Sequence, residues 1–400
     1  MITRRDIIKT AGAGAAAAVW PTALFAKPDT DARFVLVILR GAADGLSIVA
    51  PYGDGNYRGV RGELALPAPG QADGLLKLDG IFGLHPSLAG VYEEYEKKQA
   101  LVVHAIASPY RERSHFDGQD VLENGGAGAG LLRDGWLNRA LAPLGSSLGN
   151  EKAIAMAINT PLVLRGENSV TSWAPSQLPD AEQSTIQRLQ DLYADDEFFA
   201  TRLMQALKSQ EIASDELSMQ QTRGHSRNAE QVRNMMSATA RFLSAADGPR
   251  IAVLEADGWD THQNQGATAG SLANRLAGLD AALIALRDGL GSTWSSTVVA
   301  VVTEFGRTVH VNGTRGTDHG TATAAILLGG AVSGGRVLAD WPGLARSALY
   351  EGRDLMPTAD TRSLFKGILA DHLAIPDAML ERSIFPDSGG AKQMNDLIRA

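Results

Sequence analysis

Carboxylates and imidazoles recur in this chain at spacings that suit a metal centre. Asp260 and His262 are two residues apart, so in an extended loop both side chains face the same side. Glu304 directly follows an apolar run, and the pair Asp318-His319 lies in a glycine-containing loop that allows close backbone approach. Imidazole plus carboxylate ligands suit Zn, Mn or Fe, whereas an all-oxygen set favours Mg or Ca. These residues predict a site for a divalent metal, with Zn or Mn first and Mg or Ca as alternatives.

The elements that would position these groups are short apolar strands. Runs rich in branched residues predict strands at 34–39, 101–106, 153–158, 250–256, 297–303 and 323–328. Asp44, Asp260 and Glu304 each follow such a strand closely, and ligands of open α/β sheets bind at the carboxyl ends of the strands. A single pocket is therefore predicted from Asp44, Asp260, His262, Glu304 and His319. Taken alone, each histidine–aspartate motif is also explained by a hydrogen-bonded surface pair.

The alternation of strands with helical patterns predicts an α/β fold with a mostly parallel sheet. The leucine stripe of a predicted helix at 267–290 is assigned to core packing. The glycine- and proline-rich stretch 41–83 is predicted to be a long functional loop. From about 180 to 246 the sequence changes to two long helical patterns rich in Gln, Ser, Arg and Met. This segment is predicted to be a helical insertion packed beside the sheet.

Composition and charge exclude several classes of protein. The chain has 400 residues, 44% of them hydrophobic, which is enough to bury a large core. Its formal charge of −8 argues against a nucleic-acid partner. The sequence contains no cysteine, so disulfides, thiolate metal ligands and a cysteine nucleophile are excluded.

The first residues form a targeting segment. The pair Arg4-Arg5 precedes an alanine-rich apolar run that ends near Ala26. This arrangement predicts a twin-arginine export signal at 1–26, recognition by the twin-arginine export machinery, and a mature protein in the periplasm or secreted. The run is shorter than the about 20 apolar residues of a membrane span, so no span is expected after cleavage. The alternative is a basic amino terminus before a buried helix.

Five blocks of the sequence resemble the signature blocks of a protein family. They read LRGAADGLS, RSHFDGQDVLENG, GWDTH, TEFGRT and GTDHGTATAAILLGGAVSGGRV. They are similar to the domain-of-unknown-function-1501 family of the alkaline-phosphatase-like superfamily, which also contains sulfatases and phosphoglycerate mutases. The resemblance spans about 33–380. It implies a doubly wound α/β domain over these residues, a cleft of the two-metal type and, often, twin-arginine export.

The resemblance also implies roles for individual residues. Asp44 matches the first-strand metal acid of the superfamily. Asp260 with His262 resembles its acid–histidine ligand pair, and His319 resembles its late ligand histidine. Glu304 stands where the superfamily usually has an Asp-His pair. This departure leaves a full two-zinc site, and activity itself, open.

A nucleophile is predicted at the start of a helix. Ser114 has a suitable place in chain order for the superfamily's Ser, Thr or formylglycine, where backbone N–H groups favour an anion. A plain helix cap explains Ser114 equally well. His115 is predicted to be catalytic, a metal ligand or a partner of a ligand, and Asp117 is a further candidate for the last two roles. The arginines predicted to hold an anionic oxygen are Arg40, Arg113 and Arg307.

Two further serine patterns are rejected as catalytic motifs. The run Gly145-Ser-Ser-Leu-Gly149 resembles a nucleophile elbow, but it precedes a strand instead of following one. Ser108 lacks the spacer that the formylglycine-forming motif of sulfatases has before its proline.

The leading hypothesis is an exported, metal-dependent hydrolase that acts on an anionic small-molecule or polymer ester of phosphate or sulfate. The alternative is a catalytically inactive relative that binds an anionic envelope component or a partner protein. A serine esterase is a third reading, and only the rejected elbow pattern supports it.

Overall fold

The computed structural model of the chain describes residues 31–144, 152–175, 183–213 and 226–399. The predicted export signal at 1–26 and the rejected elbow pattern at 145–149 lie outside these residues. The strands of the described part are β1 (Arg33–Arg40), β2 (Val49–Ala50), β3 (Leu76–Lys77), β4 (Gly83–Leu84), β5 (Ala100–Ala107), β6 (Ala153–Ala155), β7 (Thr171–Ser172), β8 (Ile251–Asp257), β9 (Thr297–Thr303), β10 (Thr323–Leu328), β11 (Arg336–Leu338) and β12 (Ala359–Asp360).

Nine of these strands form a central sheet. Their order is β11-β5-β10-β9-β1-β8-β6-β7, and β12 also pairs with β5. Among the described strands of this sheet, β10 alone is antiparallel to its neighbours β9 and β5, while the other pairings are parallel. The start of β10 therefore lies at the edge where the other strands end.

Helices cover both faces of the sheet. They are α1 (Gly45–Ile48), α2 (Tyr57–Arg61), α3 (Ala89–Glu96), α4 (His115–Asn124), α5 (Trp136–Leu141), α6 (Gln183–Tyr193), α7 (Glu197–Ala213), α8 (Ser226–Ser244), α9 (Ser271–Leu290), α10 (Thr361–Asp371) and α11 (Asp377–Met379). Val35 and Val37 of β1 belong to the core beneath α3, α8 and α9. Phe34 and Leu36 belong to the opposite core, beneath α5 and α10. Helices on both faces of a mostly parallel sheet confirm the predicted doubly wound α/β fold.

The segment from about 180 to 246 contains three described helices where two long patterns were expected. The last of them, α8, contributes Met236 and Phe242 to the same core as α9. In contrast, α6 and α7 leave Leu192 and Phe198 exposed. The predicted leucine stripe of α9 is buried in this core, at Leu272, Leu276, Leu279, Leu283, Leu286 and Leu290.

Three expectations about element bounds need correction. The stretch 41–83 is not a structureless loop, because it contains α1, α2 and a small three-stranded sheet with the order β2-β4-β3. Strand β6 ends at Ala155, before the predicted 158, and α9 begins at Ser271, after the predicted 267. Across the described ranges, no helix combines the length and the apolar character that crossing a membrane needs.

Candidate metal centre

Four segments of the chain meet at the carboxyl edge of the sheet. Asp260 and His262 follow β8, and Glu304 follows β9 directly. Because β10 runs in the opposite direction, the segment before it brings His319 to the same edge. His115 reaches this edge as the first residue of α4, which follows β5. The sheet therefore gathers these residues from distant positions in the sequence.

The carboxylate of Asp260 lies among three imidazoles. His262 Nε2 is 3.0 Å and His319 Nε2 is 3.3 Å from Asp260 Oδ1. His115 Nε2 is 3.5 Å from Asp260 Oδ2, and the Nε2 atoms of His262 and His319 are 3.0 Å apart. Ligand atoms of His115, Asp260 and His319 all lie within 4.8 Å of one another, so these groups could hold a metal ion. We call Asp260 and the three histidines around it, His115, His262 and His319, the Asp260 cluster.

Each imidazole of the Asp260 cluster is oriented through its other ring nitrogen. The contacts are His115 Nδ1 to Glu304 Oε1 at 2.9 Å, His262 Nδ1 to Asp318 Oδ1 at 3.1 Å, and His319 Nδ1 to the Arg113 carbonyl oxygen at 2.9 Å. These oxygens only accept hydrogen bonds, so Nδ1 of each ring carries a hydrogen. The hydrogen bond to Glu304 raises the pKa of His115, and a cation at Nε2 would take the place of any proton there. Metal-binding histidines are typically oriented in this way by an outer oxygen.

The spacing of the Asp260 cluster fits a bound ion. His115 Nε2 is buried and has no hydrogen-bond partner among the described residues, which is costly for a polar atom. Neighbouring ligand atoms of a tetrahedral zinc site are about 3.3 Å apart. The contacts of the Asp260 carboxylate, at 3.0–3.5 Å, match that spacing. The donor set of imidazoles and one carboxylate also suits a transition metal.

Arg307 orients Asp260 from the buried side. Its guanidinium forms an ion pair with Asp260 and donates to the side-chain and backbone oxygens of Thr317. The Arg307 side chain is 0% exposed. It was predicted to hold an anionic substrate oxygen, and in the structure the partners of its guanidinium are Asp260 and Thr317.

Glu304 was predicted to be a metal ligand, and the structure places it one layer outside the Asp260 cluster. Its Oε1 accepts hydrogen bonds from His115, from the backbone N–H of Gly41 at 2.8 Å and from Gln119 Nε2 at 3.1 Å. Its Oε2 accepts from Thr303 Oγ1 at 2.8 Å. Glycine is needed at position 41, where φ is +113° and a Cβ would lie 2.7 Å from the backbone nitrogen of the Asp260 loop.

Phe305 supports two rings of the Asp260 cluster. Its ring centroid is 5.1 Å from that of His115 and 5.4 Å from that of His319. Gly118 of α4 allows the helix to approach, because a Cβ there would lie 2.8 Å from the Phe305 ring. The Glu304-Phe305 pair thus supplies an orienting carboxylate and an apolar support.

The carboxylates around the Asp260 cluster are kept ionised. Burial would raise the pKa of Glu304, but hydrogen bonds, above all from His115, lower it to about 2. Burial also opposes ionisation of Asp260, yet the Arg307 guanidinium holds the pKa of Asp260 below its ordinary value. A hydrogen bond from a neighbouring asparagine amide lowers the pKa of Asp318. Negative charge is therefore maintained where a cation would bind.

Asp44 lies outside the Asp260 cluster, contrary to the prediction of a shared pocket. It is fully buried, caps the start of α1 and forms an ion pair with Arg61. It also accepts from Ser47 Oγ at 2.8 Å and from Gln265 Nε2 at 2.6 Å. Its link to the rest of the site is indirect, because Gln265 Oε1 in turn accepts from Thr317 Oγ1 at 2.8 Å.

The remaining predicted groups lie around the cluster with other partners. Ser114 occupies the N-cap position of α4, and its side chain makes no capping hydrogen bond. Asp117 accepts from Tyr110 Oη at 3.3 Å, and Ser108 is buried. The other predicted arginines form ion pairs, Arg40 with Glu123 and Glu255, and Arg113 with Glu351 and Asp354.

Two residues that contribute to the site, Gln119 and Arg61, were not predicted from the sequence. Gln119 stands four residues after His115 on α4, so both side chains reach Glu304, and helical spacing could have indicated it. Arg61 is separated from Asp44 by a glycine- and proline-rich stretch, and no local pattern pointed to their ion pair.

The fold and the cluster define an α/β protein with a candidate metal centre at the carboxyl edge of its sheet. Residues 31–382 match the family described as "Protein of unknown function (DUF1501)". The chain therefore belongs to this family, as the resemblance predicted. No curated protein matches the sequence.

Several solved structures are similar to this chain. A phosphonate monoester hydrolase of Agrobacterium radiobacter is 11% identical, with 86% of this chain and 74% of that chain covered and a TM-score of 0.36. The C-terminal periplasmic domain of EcEptC from Escherichia coli, a complex with Zn, is 10% identical, with 74% and 72% covered and a TM-score of 0.34. A Pseudoalteromonas sulfatase is 12% identical, with 76% of this chain and 64% of that chain covered and a TM-score of 0.33. The present chain thus spans less than two thirds of that sulfatase.

Proposed function

We propose that this chain is an exported, metal-dependent hydrolase of phosphate or sulfate esters. The observation that carries the proposal is the Asp260 cluster, in which three imidazoles direct Nε2 toward one ionised carboxylate. One of these atoms, His115 Nε2, is buried without a hydrogen-bond partner in the described part of the chain. This donor set supports a divalent cation, with Zn or Mn preferred and Mg or Ca as alternatives.

The residues of the centre have separate roles in this proposal. The Asp260 cluster would hold the cation, and a bound divalent ion lowers the pKa of an attacking hydroxyl or water and neutralises charge on the transferring group. Arg307 keeps Asp260 in one orientation. Glu304 and Asp318 retain the Nδ1 hydrogens of their histidines, so that the Nε2 lone pairs stay available.

The nucleophile in this proposal is the Ser114 hydroxyl or a water molecule. Ser114 directly precedes His115, and its side chain is not used to cap α4. Backbone N–H groups in the first turn of a helix stabilise an anion, which suits the charge that develops on an attacked ester.

The partners in this proposal are an anionic small-molecule or polymer ester and the twin-arginine export machinery. The paired arginines of the segment 1–26 support export to the periplasm or the medium. Fractionation of cells that express the full chain tests this point. We expect the protein outside the cytoplasm, and we expect the double variant Arg4→Lys/Arg5→Lys to remain inside. Equal export of both proteins would overturn the assignment.

Elemental analysis of the purified protein tests the metal centre. His319→Ala removes an imidazole of the Asp260 cluster and should abolish bound metal. His310→Ala is the matched control, because His310 is an exposed histidine nine residues earlier in the chain. Unchanged metal content in His319→Ala would refute the assignment, whereas loss in both variants would point to a general effect on folding.

Assays with aryl phosphates and aryl sulfates test the hydrolytic activity. We expect turnover of at least one ester class by the metal-loaded protein, and its loss in His319→Ala but not in His310→Ala. Bound metal without turnover of any ester would overturn the hydrolase and leave a binding protein.

A non-catalytic protein that binds an anionic envelope component or a partner is the second candidate. The observation in its favour is that the three arginines predicted to hold a substrate oxygen already have carboxylate partners. They are Arg40, Arg113 and Arg307.

A further inference from the structure

Asp44 is enclosed by hydrogen-bond donors, and three of them converge on one of its oxygens. Its Oδ2 receives Arg61, the Ser47 hydroxyl at 2.8 Å and the Gln265 amide at 2.6 Å. Its Oδ1 accepts from the backbone N–H of Leu46 at 3.2 Å. Both members of the Asp44–Arg61 pair have side chains that are 0% exposed, so the guanidinium is a permanent positive partner of this carboxylate. Breaking such a pair would leave an uncompensated buried charge.

Glu304 is occupied in the same way. Three donors converge on Oε1 and a threonine hydroxyl donates to Oε2, and the side chain is 0% exposed. Its closest contact with the Asp260 cluster is the Nδ1 atom of His115, which lies on the far side of the ring from Nε2. Glu304 therefore acts on a ligand and is not itself placed as one.

We infer that this centre holds one transition-metal ion per chain, and that Arg61 supplies to Asp44 the positive charge that a second cation would supply in a two-metal cleft. This inference rests on the proposed function. Asp260 Oδ1 is likewise paired with Arg307, but the Asp260 side chain is 38% exposed and its Oδ2 faces His115 Nε2. With Asp44 and Glu304 enclosed by donors, the groups left for coordination are therefore the three Nε2 atoms and the carboxylate of the Asp260 cluster. Ligand atoms of His115, Asp260 and His319 all lie within 4.8 Å of one another, which is close enough for a single ion.

The donor set also selects the class of ion. Mg²⁺ and Ca²⁺ prefer oxygen ligands, and the sites of Ca²⁺ use six to eight of them. The Asp260 cluster offers one carboxylate and three imidazoles, and imidazole nitrogen suits Zn and other first-row transition metals. The centre should therefore retain Zn or Mn in the presence of a large excess of Mg²⁺ or Ca²⁺.

Metal stoichiometry and X-ray absorption of the wild-type protein test the inference directly. After loading with Zn²⁺ and dialysis, we expect one ion per chain, with nitrogen-rich ligation and no metal–metal scattering at the roughly 3.5–4 Å of two-metal sites. Two ions per chain, or metal–metal scattering, would overturn the inference and leave the proposed function intact. No bound ion would overturn both, so the two failures are distinguishable.

The variant Asp44→Asn provides a second test. We expect it to keep one ion per chain while its melting temperature falls, because Arg61 loses its charged partner. Asp260→Asn is the contrasting variant and should lose the ion. A folded Asp44→Asn protein that has lost its metal would overturn the inference.

The outcome does not depend on the stability of one variant. If Asp44→Asn does not fold, the double variant Asp44→Asn/Arg61→Met removes both charges of the pair and poses the same question without a buried unpaired charge. The wild-type stoichiometry decides the matter if neither variant folds.

Discussion

Two groups of histidines in this molecule differ in what their Nε2 atoms contact. His85 and His104 each place Nε2 2.9 Å from a backbone carbonyl and accept a backbone N–H at Nδ1, so the fold uses both ring nitrogens. In the Asp260 cluster Nδ1 of each ring contacts an outer oxygen, and the Nε2 atoms of His115, His262 and His319 converge on one carboxylate. Burial alone therefore does not separate a structural histidine from a candidate ligand, whereas the partner of each ring nitrogen does.

The largest expected effect comes from replacing one histidine of each group with alanine and comparing the two variants. His115→Ala should remove nearly all bound metal, and it should also lower the stability because the buried Glu304 loses a hydrogen-bond partner. His104→Ala should keep the metal but destabilise the protein by roughly 2–5 kcal/mol, because a fully buried ring packed on Phe82 and Trp341 is lost. Elemental analysis and urea unfolding of both variants check this. Metal loss in His104→Ala, or retention in His115→Ala, would break the distinction.

Acid should destabilise the protein through its structural histidines. Burial lowers the pKa of His104 and of His372 from 6.5 to about 4. Above pH 6.5 both states are neutral, but between 6.5 and 4 only the unfolded chain binds the proton, so stability falls as pH falls. The loss should approach roughly 3 kcal/mol for each histidine near pH 4.

Urea unfolding between pH 7 and pH 4.5 measures this loss. His372→Gln removes one titrating ring while keeping a donor for the backbone carbonyl of Arg33. The unfolding free energy of this variant should therefore depend less steeply on pH than that of the wild type. Identical slopes in the two proteins would contradict the assignment of a neutral, buried His372.

A smaller effect is expected from the residues that orient the Asp260 cluster. Glu304→Gln keeps the shape of the side chain but removes the charge that faces His115. The metal affinity should fall about 10–100-fold, as for other outer partners of metal-bound histidines. Competition with a chelator measures the affinity. An unchanged affinity would show that the position of the His115 ring does not depend on this carboxylate.

The smallest effect is expected at Asp318. Its side chain is 50% exposed, and water can replace part of its contact with His262 Nδ1. Asp318→Asn should therefore reduce the metal affinity by less than tenfold. The same chelator titration checks this order of effects, and a larger loss than in Glu304→Gln would reverse it.

Strands were the part of the fold most accessible from the sequence. The predicted strands 297–303 and 323–328 coincide with β9 and β10, because runs of branched and apolar residues between polar breaks have few other solutions. Strand β6 is shorter than predicted. The stretch 41–83 forms short helices and strands that no periodic pattern in the sequence indicated. Short elements held by tertiary contacts leave little periodic signal.

The residues of the candidate site could be predicted from the sequence. Which of them belong to the Asp260 cluster and which lie outside it could not. Asp260, His262 and His319 were placed together because acids and histidines at strand ends share an edge. Asp44 and Glu304 are also carboxylates that follow a strand, yet hydrogen-bond donors hold them outside the Asp260 cluster. The partners of each carboxylate come from distant segments of the chain, as Arg61 does for Asp44. The local sequence therefore does not indicate which carboxylate is left to bind a cation.

The reversed direction of β10 has a consequence for the cost of organising the centre. A parallel strand after β9 would need a crossover of a dozen or more residues over one face of the sheet. Instead, the connection leaves β9 at Thr303 and enters β10 at Thr323, with both ends anchored on neighbouring strands at the same edge. Arg307 and His319 also form a β-bridge within this connection. The connection, residues 304–322, is therefore held at both ends by the sheet and within by this bridge and by the hydrogen bonds of Arg307 to Thr317, so an incoming ion would meet donors that are already in place.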